Sequence, residues 1–179
     1  MITKFKLYEN KINDIYHMIF YLDEFNLKKY IANGGILKSS PNKESLLHYC
    51  VEYGDYNIMK ILLESNQFSI DDINEYNEFK STILMQSVKL NKYKISELLI
   101  KYGANPNLQN KDGLIALNLT SDEKYVDLLA PISDWSIKIN NKYNVFEYLS
   151  KAIKPYLIKN FPEKYKKYLR EKQAKKFKI

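Results

Sequence analysis

Apolar residues in this chain recur three and four positions apart in short runs, separated by sharp breaks. The clearest case lies between Lys80 and Asn118. Thr82 opens a run in which Ile83, Leu84, Met85 and Val88 share one side. After a break, Ile95, Leu98 and Leu99 line a second run, followed by Gly103-Ala104-Asn105-Pro106-Asn107 and a turn at Asp112-Gly113. That spacing fits helices with a single apolar face, not strands, whose apolar positions alternate. It predicts two short helices joined by a turn, closed by a glycine, with a loop leading on.

The same unit recurs. Thirty-seven residues earlier, Ser45-Leu46-Leu47-His48 opens a run with Cys50 and Val51, Gly54-Asp55 breaks it, and Ile58, Ile61, Leu62 and Leu63 line a second. Thirty-three residues later, Ile115-Ala116-Leu117-Asn118 opens another, followed by Tyr125, Val126, Leu128 and Leu129. Ser45 and Thr82 suit helix N-caps, whose side-chain oxygen accepts a bond from an unpaired backbone amide. Gly34, Asn66 and Gly103, spaced 32 and 37 apart, suit left-handed C-terminal caps. The next such position falls at Ser133, with the third unit about three residues short. The long spacing of 37 locates an insertion between Asn66 and Thr82, around Ser69–Asn74.

These residues resemble the ankyrin repeat. Ser45-Leu46-Leu47-His48-Tyr49-Cys50-Val51 with Gly54 matches the repeat's opening, and Leu98 to Asn107 followed by Asp112-Gly113 matches its close. Leu46, Ile83 and Ala116 stand where the repeat usually has proline, and one opening of the three has the histidine. The resemblance implies an all-α, ankyrin-like helical solenoid of about four to five helix–turn–helix repeats with a C-terminal capping helix. Its expected parts are an N-terminal capping pair over 11–34 and repeats over 43–66, 80–103, 113–133 and 143–160. The last of these rests on Asn144-Val145-Phe146-Glu147-Tyr148-Leu149, after Trp135-Ser136-Ile137-Lys138-Ile139; Pro155 then falls in the first turn of its second helix. Residues 1–160 form the repeat domain and 161–179 a basic helix or tail.

Charge sharpens that boundary. Of 28 Lys and Arg residues, 11 lie in Lys151–Ile179 against two of the 21 Asp and Glu, leaving 17 basic and 19 acidic side chains in the first 150 residues. The formal charge of +7 is therefore carried by one segment. Pro162 to Lys176 reads as a helix with Tyr165, Tyr168 and Leu169 on one side, a natural lid for a repeat stack. Lys164, Lys166, Lys167, Arg170, Lys172, Lys175 and Lys176, interleaved with aromatic rings, are also what phosphate contact and base stacking use. A nucleic acid or anionic surface is thus the alternative partner for the tail.

Chemistry is sparse. His17 and His48 lie far apart, and no metal-ligand cluster, nucleophile motif or phosphate-binding glycine loop occurs. No cofactor and no catalytic activity are expected. His48 is expected to bond backbone between repeats, the lone Cys50 to act as a small core residue, and Asp71-Asp72 to sit in a solvated loop. Tyr93, Tyr102, Tyr125 and Tyr148 are expected as buried rings with a wet hydroxyl edge. A single cysteine suits a reducing compartment, no signal peptide or membrane span is expected, and the cytoplasm is the expected location.

The resemblance implies non-catalytic protein binding through a concave face built from loop tips and the exposed side of the first helices, serving an inhibitor, immunity protein or effector. Carried over residue by residue, that face holds Pro41, Asn42, Glu44, Glu52 and Tyr53; then Glu78, Phe79, Ser81, Lys89 and Leu90; then Lys111, Asp112 and Leu114; and finally Asn141 and Tyr143. Phe79 and Leu90, large apolar residues at exposed positions, mark its expected centre.

Overall fold

A computed structural model describes residues 15–37 and 45–176, with Lys175 and Lys176 described in backbone only. Pro41, Asn42, Glu44 and the first residues of the capping pair lie outside the described residues. The molecule divides into two compact units: the described residues up to Glu78 with Thr82–Ala104, and Phe79–Ser81 with Asn105 onward.

In the first unit, α1 (helical over 15–20), α2 (Glu24–Ala32), α3 (Leu46–Tyr53), α4 (Tyr56–Glu64), α5 (Ile70–Ile73), α6 (Ile83–Lys89) and α7 (Tyr93–Lys101) follow in order. The first helices pack in one row, α3 against α6, and the second helices in another, α2 against α4 and α4 against α7. Each helix turns its apolar face inward. Ile15, Ile19, Leu46, Leu47, Cys50, Ile58, Met59, Leu62, Ile83, Leu84, Met85 and Leu99 are fully or almost fully buried. Each large aliphatic side chain so placed contributes roughly 1.5–3 kcal/mol.

Thr82 Oγ accepts from the Met85 amide, while Asp23 and Asp55 cap α2 and α4. Ser45 stands at the N-cap of α3, but its side chain makes no cap bond, contrary to expectation. Gly34, Asn66 and Gly103 all have left-handed backbone, with φ of 77°, 56° and 95°. Ser133, expected to be the next, is not among the positive-φ residues, because the third unit ends with Ala130 in ordinary helical geometry. The insertion folds as α5, closed by a capping box in which Ser69 and Asp72 serve each other's backbone amides. Asp71-Asp72 thus lies on a short helix, not a loop, and Asp72 has a structural task. Ile70 reaches the Gly103 turn, where a Cβ would approach its Cδ1 to 2.6 Å.

His48 is fully buried, its Nε2 3.2 Å from the Glu75 carbonyl oxygen and its Nδ1 2.8 Å from the Gln86 side-chain amide. It bonds backbone beyond its own repeat, as the opening motif implies, and also joins α3 to α6. Lys92 adds a second tie: its Nζ donates to the Glu52 and Gly54 carbonyls at 3.1 and 2.9 Å, completing the end of α3.

The second unit holds a 3₁₀ turn (Ala116–Leu119), α8 (Glu123–Leu129), the hairpin strands β1 (Lys138–Ile139) and β2 (Tyr143–Asn144), α9 (Val145–Tyr148), α10 (Ile153–Asn160) and α11 (Pro162–Lys176). The opening at Ile115 is shorter than an α-helix because Asn118 turns back to the Ile115 amide and Thr120 resumes extended backbone. β1 and β2 pair antiparallel across residues 140–142, where Asn140 and Asn141, with φ of 49° and 58°, suit a primed turn closed by the Lys142 amide on the Ile139 carbonyl. Asn144 and Glu147 form a capping box for α9, and Pro155 lies in the first turn of α10.

The core of this unit is aromatic. Trp135 stacks on Phe146 at 5.3 Å, Phe146 meets Tyr168 at 4.9 Å and Tyr165 at 5.2 Å, and the Asn144 side chain donates to the Tyr168 hydroxyl. Tyr125 is buried; Tyr93 and Tyr102 are half-buried; Tyr148, expected inside, is exposed because α9 is one turn long and points that ring outward.

Candidate partner-binding surface

The first helices of the N-terminal unit leave one face uncovered, and aromatic side chains concentrate there. Tyr16 meets Tyr49 at 4.8 Å, Tyr49 meets Tyr53 at 4.6 Å, Tyr53 meets Phe20 at 5.8 Å, and Phe20 meets Tyr21 at 5.2 Å. This chain of rings starts in the core at Tyr16 and ends in solvent, where Phe20 is 50% and Tyr21 73% exposed. Its members belong to α1 and α3 and the turn after α1, and their i, i+4 spacing (Tyr16–Phe20, Tyr49–Tyr53) places them on matching helix faces.

The cluster follows the repeat. Tyr21, Tyr53 and Leu90, 32 and 37 residues apart, stand at the end of α1, α3 and α6, and all three are exposed. Two positions on, Asp23 and Asp55 cap their own second helices, whereas Lys92 reaches the end of α3. The Glu52 carboxylate accepts from the Gln86 amide, His17 lies 6.2 Å from the Tyr21 ring, and Lys89 is exposed at the end of α6. The Asn26 side chain and then its backbone amide hold the Asp23 carboxyl below the usual range, keeping that cap charged.

Of the residues expected in the binding face, Glu52, Tyr53, Glu78, Lys89 and Leu90 are exposed in this unit. In the second unit Phe79 is 65% exposed, and Lys111, Asp112, Asn141 and Tyr143 are exposed too. Leu114 is half-buried and Ser81 only 6% exposed, so Ser81 is not a surface residue: it directly precedes the buried N-cap of α6. Lys111 and Asp112 ride a turn that Asn110 organises by accepting from the Asp112 and Leu114 amides, with Gly113 at φ 75°. Phe20 and Tyr21 are absent from the sequence-based set. They lie in the capping pair, which lacks the opening motif; the available signal was the match of Tyr21 to Tyr53 at the repeat spacing.

The tail residues have tasks inside the second unit. Lys164 donates to the Pro131 carbonyl and lies over the Trp135 ring, Lys166 pairs with Glu163, Lys167 lies 3.9 Å from Glu171, and Lys172 pairs with Glu147. Arg170 is exposed, and the side chains of Lys175 and Lys176 lie outside the described residues.

Among the described residues no group of three His, Cys, Asp or Glu side chains could hold a metal ion, and burial pushes the Cys50 thiol far up, away from thiolate reactivity. No helix among them is long and apolar enough to cross a membrane.

A family model described as ankyrin repeats (3 copies) matches residues 16–110 and 47–143. The chain belongs to the ankyrin-repeat family. Its fold class is accordingly the all-α ankyrin-like solenoid. It is similar to the putative ankyrin repeat protein FPV034 of Fowlpox virus (strain NVSL), at 34% identity over 112 residues, or 62% of this chain. The chain spans about a quarter of that relative's length. Ankyrin repeats generally mediate protein–protein interaction.

Proposed function

We propose that this protein is a non-catalytic binding module whose partner protein docks on the first-helix face of the N-terminal unit, centred on Phe20, Tyr21 and Tyr53. One observation carries the reading: rings in mutual contact run from the core into solvent on the face where the repeat places its binding residues. Solvent-exposed rings held by neighbouring rings lose little freedom on binding and supply large apolar area, which suits the centre of an interface. Glu52 and Lys89 then form its polar edge. A partner whose active site is covered in this way would make the chain an inhibitor or immunity factor; a captured host protein would make it an effector. The cytoplasm, where a buried free Cys50 stays reduced, is the location we assign.

The test is affinity capture from the source cell with the full chain and with a Phe20→Ser/Tyr53→Ser variant. The expected result is loss of a specific captured protein from the variant, with a cooperative unfolding transition retained above the capture temperature and unchanged capture by a Lys111→Ala/Asp112→Ala variant. Retention of every captured protein by the ring variant would overturn the reading.

A nucleic-acid role for the basic helix has weaker support. Tyr168, a ring offered for base stacking, is buried against Phe146, and Lys164, Lys166, Lys167 and Lys172 each have a partner within the unit.

A further inference from the structure

Separate from the aromatic face, the second unit has a cleft of about 210 Å³ between the loop after α8 and the first half of α11. Ser133, Trp135, Asp134, Lys164, Lys167 and Glu171 are among the residues lining it. Ser133 and Trp135 are 1% and 2% exposed, yet Ser133 Oγ and Trp135 Nε1 have no hydrogen-bond partner among the described residues. Buried polar atoms are almost always paired, so two orphans on residues that line one cleft form an unusual concentration. An indole N–H can only donate, and a serine hydroxyl can donate.

Both carboxylates of the cleft have contacts of their own. Asp134 Oδ1 accepts from both the amide and the hydroxyl of Ser136 at 2.8 Å, and Glu171 lies 3.9 Å from Lys167. Lys164 gives one of its three donors to the Pro131 carbonyl at 2.7 Å and stands 5.7 Å from the Trp135 ring centre. The unpartnered indole N–H and serine hydroxyl thus belong to residues lining a cleft that also holds an ammonium group. The charged lining, two ammonium groups against two carboxylates, is close to neutral, so preference for an anion rests on the unpaired donors beside Lys164.

We infer that the Ser133–Trp135–Lys164 cleft binds a carboxylate group, its oxygens accepting from the Ser133 hydroxyl, the Trp135 indole N–H and the Lys164 ammonium. The carboxylate could belong to a free small acid or to an acidic side chain of a peptide; the chemistry presented to the cleft is the same. Desolvation, which lowers the Lys164 pKa, fits an ammonium group whose best stabiliser is an anion brought to it.

Trp135 is the chain's single tryptophan, so its indole N–H gives one unambiguous NMR signal. Four probes are titrated into the full chain: acetate, the peptide acetyl-Gly-Glu-Gly-amide, its Gln counterpart, and inorganic phosphate. The expected result is a saturable shift of that signal with the Glu peptide and none with the Gln peptide. An equal response to acetate assigns a free acid as sufficient; no response to acetate assigns an acidic peptide segment. In calorimetry, Ser133→Ala and Trp135→Phe, which keeps the ring stack on Phe146, are each expected to weaken Glu-peptide binding about tenfold, while Lys166→Gln leaves it unchanged. The inference is overturned by a silent indole signal with both carboxylates, by a response to phosphate alone, or by wild-type affinity in both cleft variants.

Discussion

His48 illustrates what a single side chain does in a repeat of this kind. Its two ring nitrogens hold the Glu75 carbonyl and the Gln86 amide from inside a fully buried position. His48→Ala leaves both groups without that partner, and an unmet buried polar group costs about 1–3 kcal/mol. Thermal unfolding is expected to show a lower melting point, with partner binding retained below it; an unchanged melting point would refute the structural role. This residue was legible in the sequence because the repeat opening fixes both its place and its task. Phe20 was not legible as a surface residue, because an aromatic ring in an amphipathic helix has the same spacing whether it faces core or solvent; Tyr21 was legible only through its match to Tyr53 at the repeat spacing. Lys92 was equally silent, since only the packed neighbour shows that its ammonium group ends the helix before it.

At the level of elements, cap chemistry proved easier to read than helix length. The left-handed positions at Gly34, Asn66 and Gly103 and the extra residues before Thr82 came directly from spacing, because a positive φ restricts which residues are tolerated. The 3₁₀ turn at Ala116–Leu119 did not, since its shortness depends on Asn118 turning back on its own helix start. How α11 is held was also hidden, because Lys172 and Glu147 lie 25 residues apart in the chain. Their contact makes a pH prediction. The Lys172 hydrogen bond, helped by the Asn144 amide, holds the Glu147 carboxyl below its usual range. A carboxyl with a depressed folded-state pKa contributes stability that is complete above its unfolded value, about 4.3, and is lost as pH falls through the folded value. Trp135 fluorescence is therefore expected to show α11 loosening as pH drops below about 4. Lys172→Gln should flatten that acid dependence, and an identical acid profile in the variant would remove the pair from the account.

At the scale of the whole molecule, the sequence poses one charge problem: a body close to neutral and a C-terminal stretch carrying the excess of lysine. Two physical outcomes compete. A basic arm that serves nucleic acid keeps its ammonium groups and rings available, whereas a lid spends them on its own unit. Tyr168 is buried, its hydroxyl accepts from Asn144, and its ring lies against Phe146. Full burial of one large side chain is worth about 1.5–3 kcal/mol, so with the partial cover from Tyr165 the docked helix contributes roughly 2–4 kcal/mol to its unit. A chain ending at Phe161 should consequently show faster amide exchange across residues 115–149 and a red-shifted Trp135 emission, because Trp135 and Phe146 lose their cover. A free arm predicts the opposite pair of results: unchanged exchange on truncation, and in the full chain a duplex-DNA affinity that falls steeply with salt. Each neutralised phosphate adds about 0.9 to the log–log salt slope, so a slope near 5 would require about five or six available cations. Lys164, Lys166, Lys167 and Lys172 already contact groups of their own unit, so the expected slope lies below that of a free arm, and truncation should cost the second unit its stability.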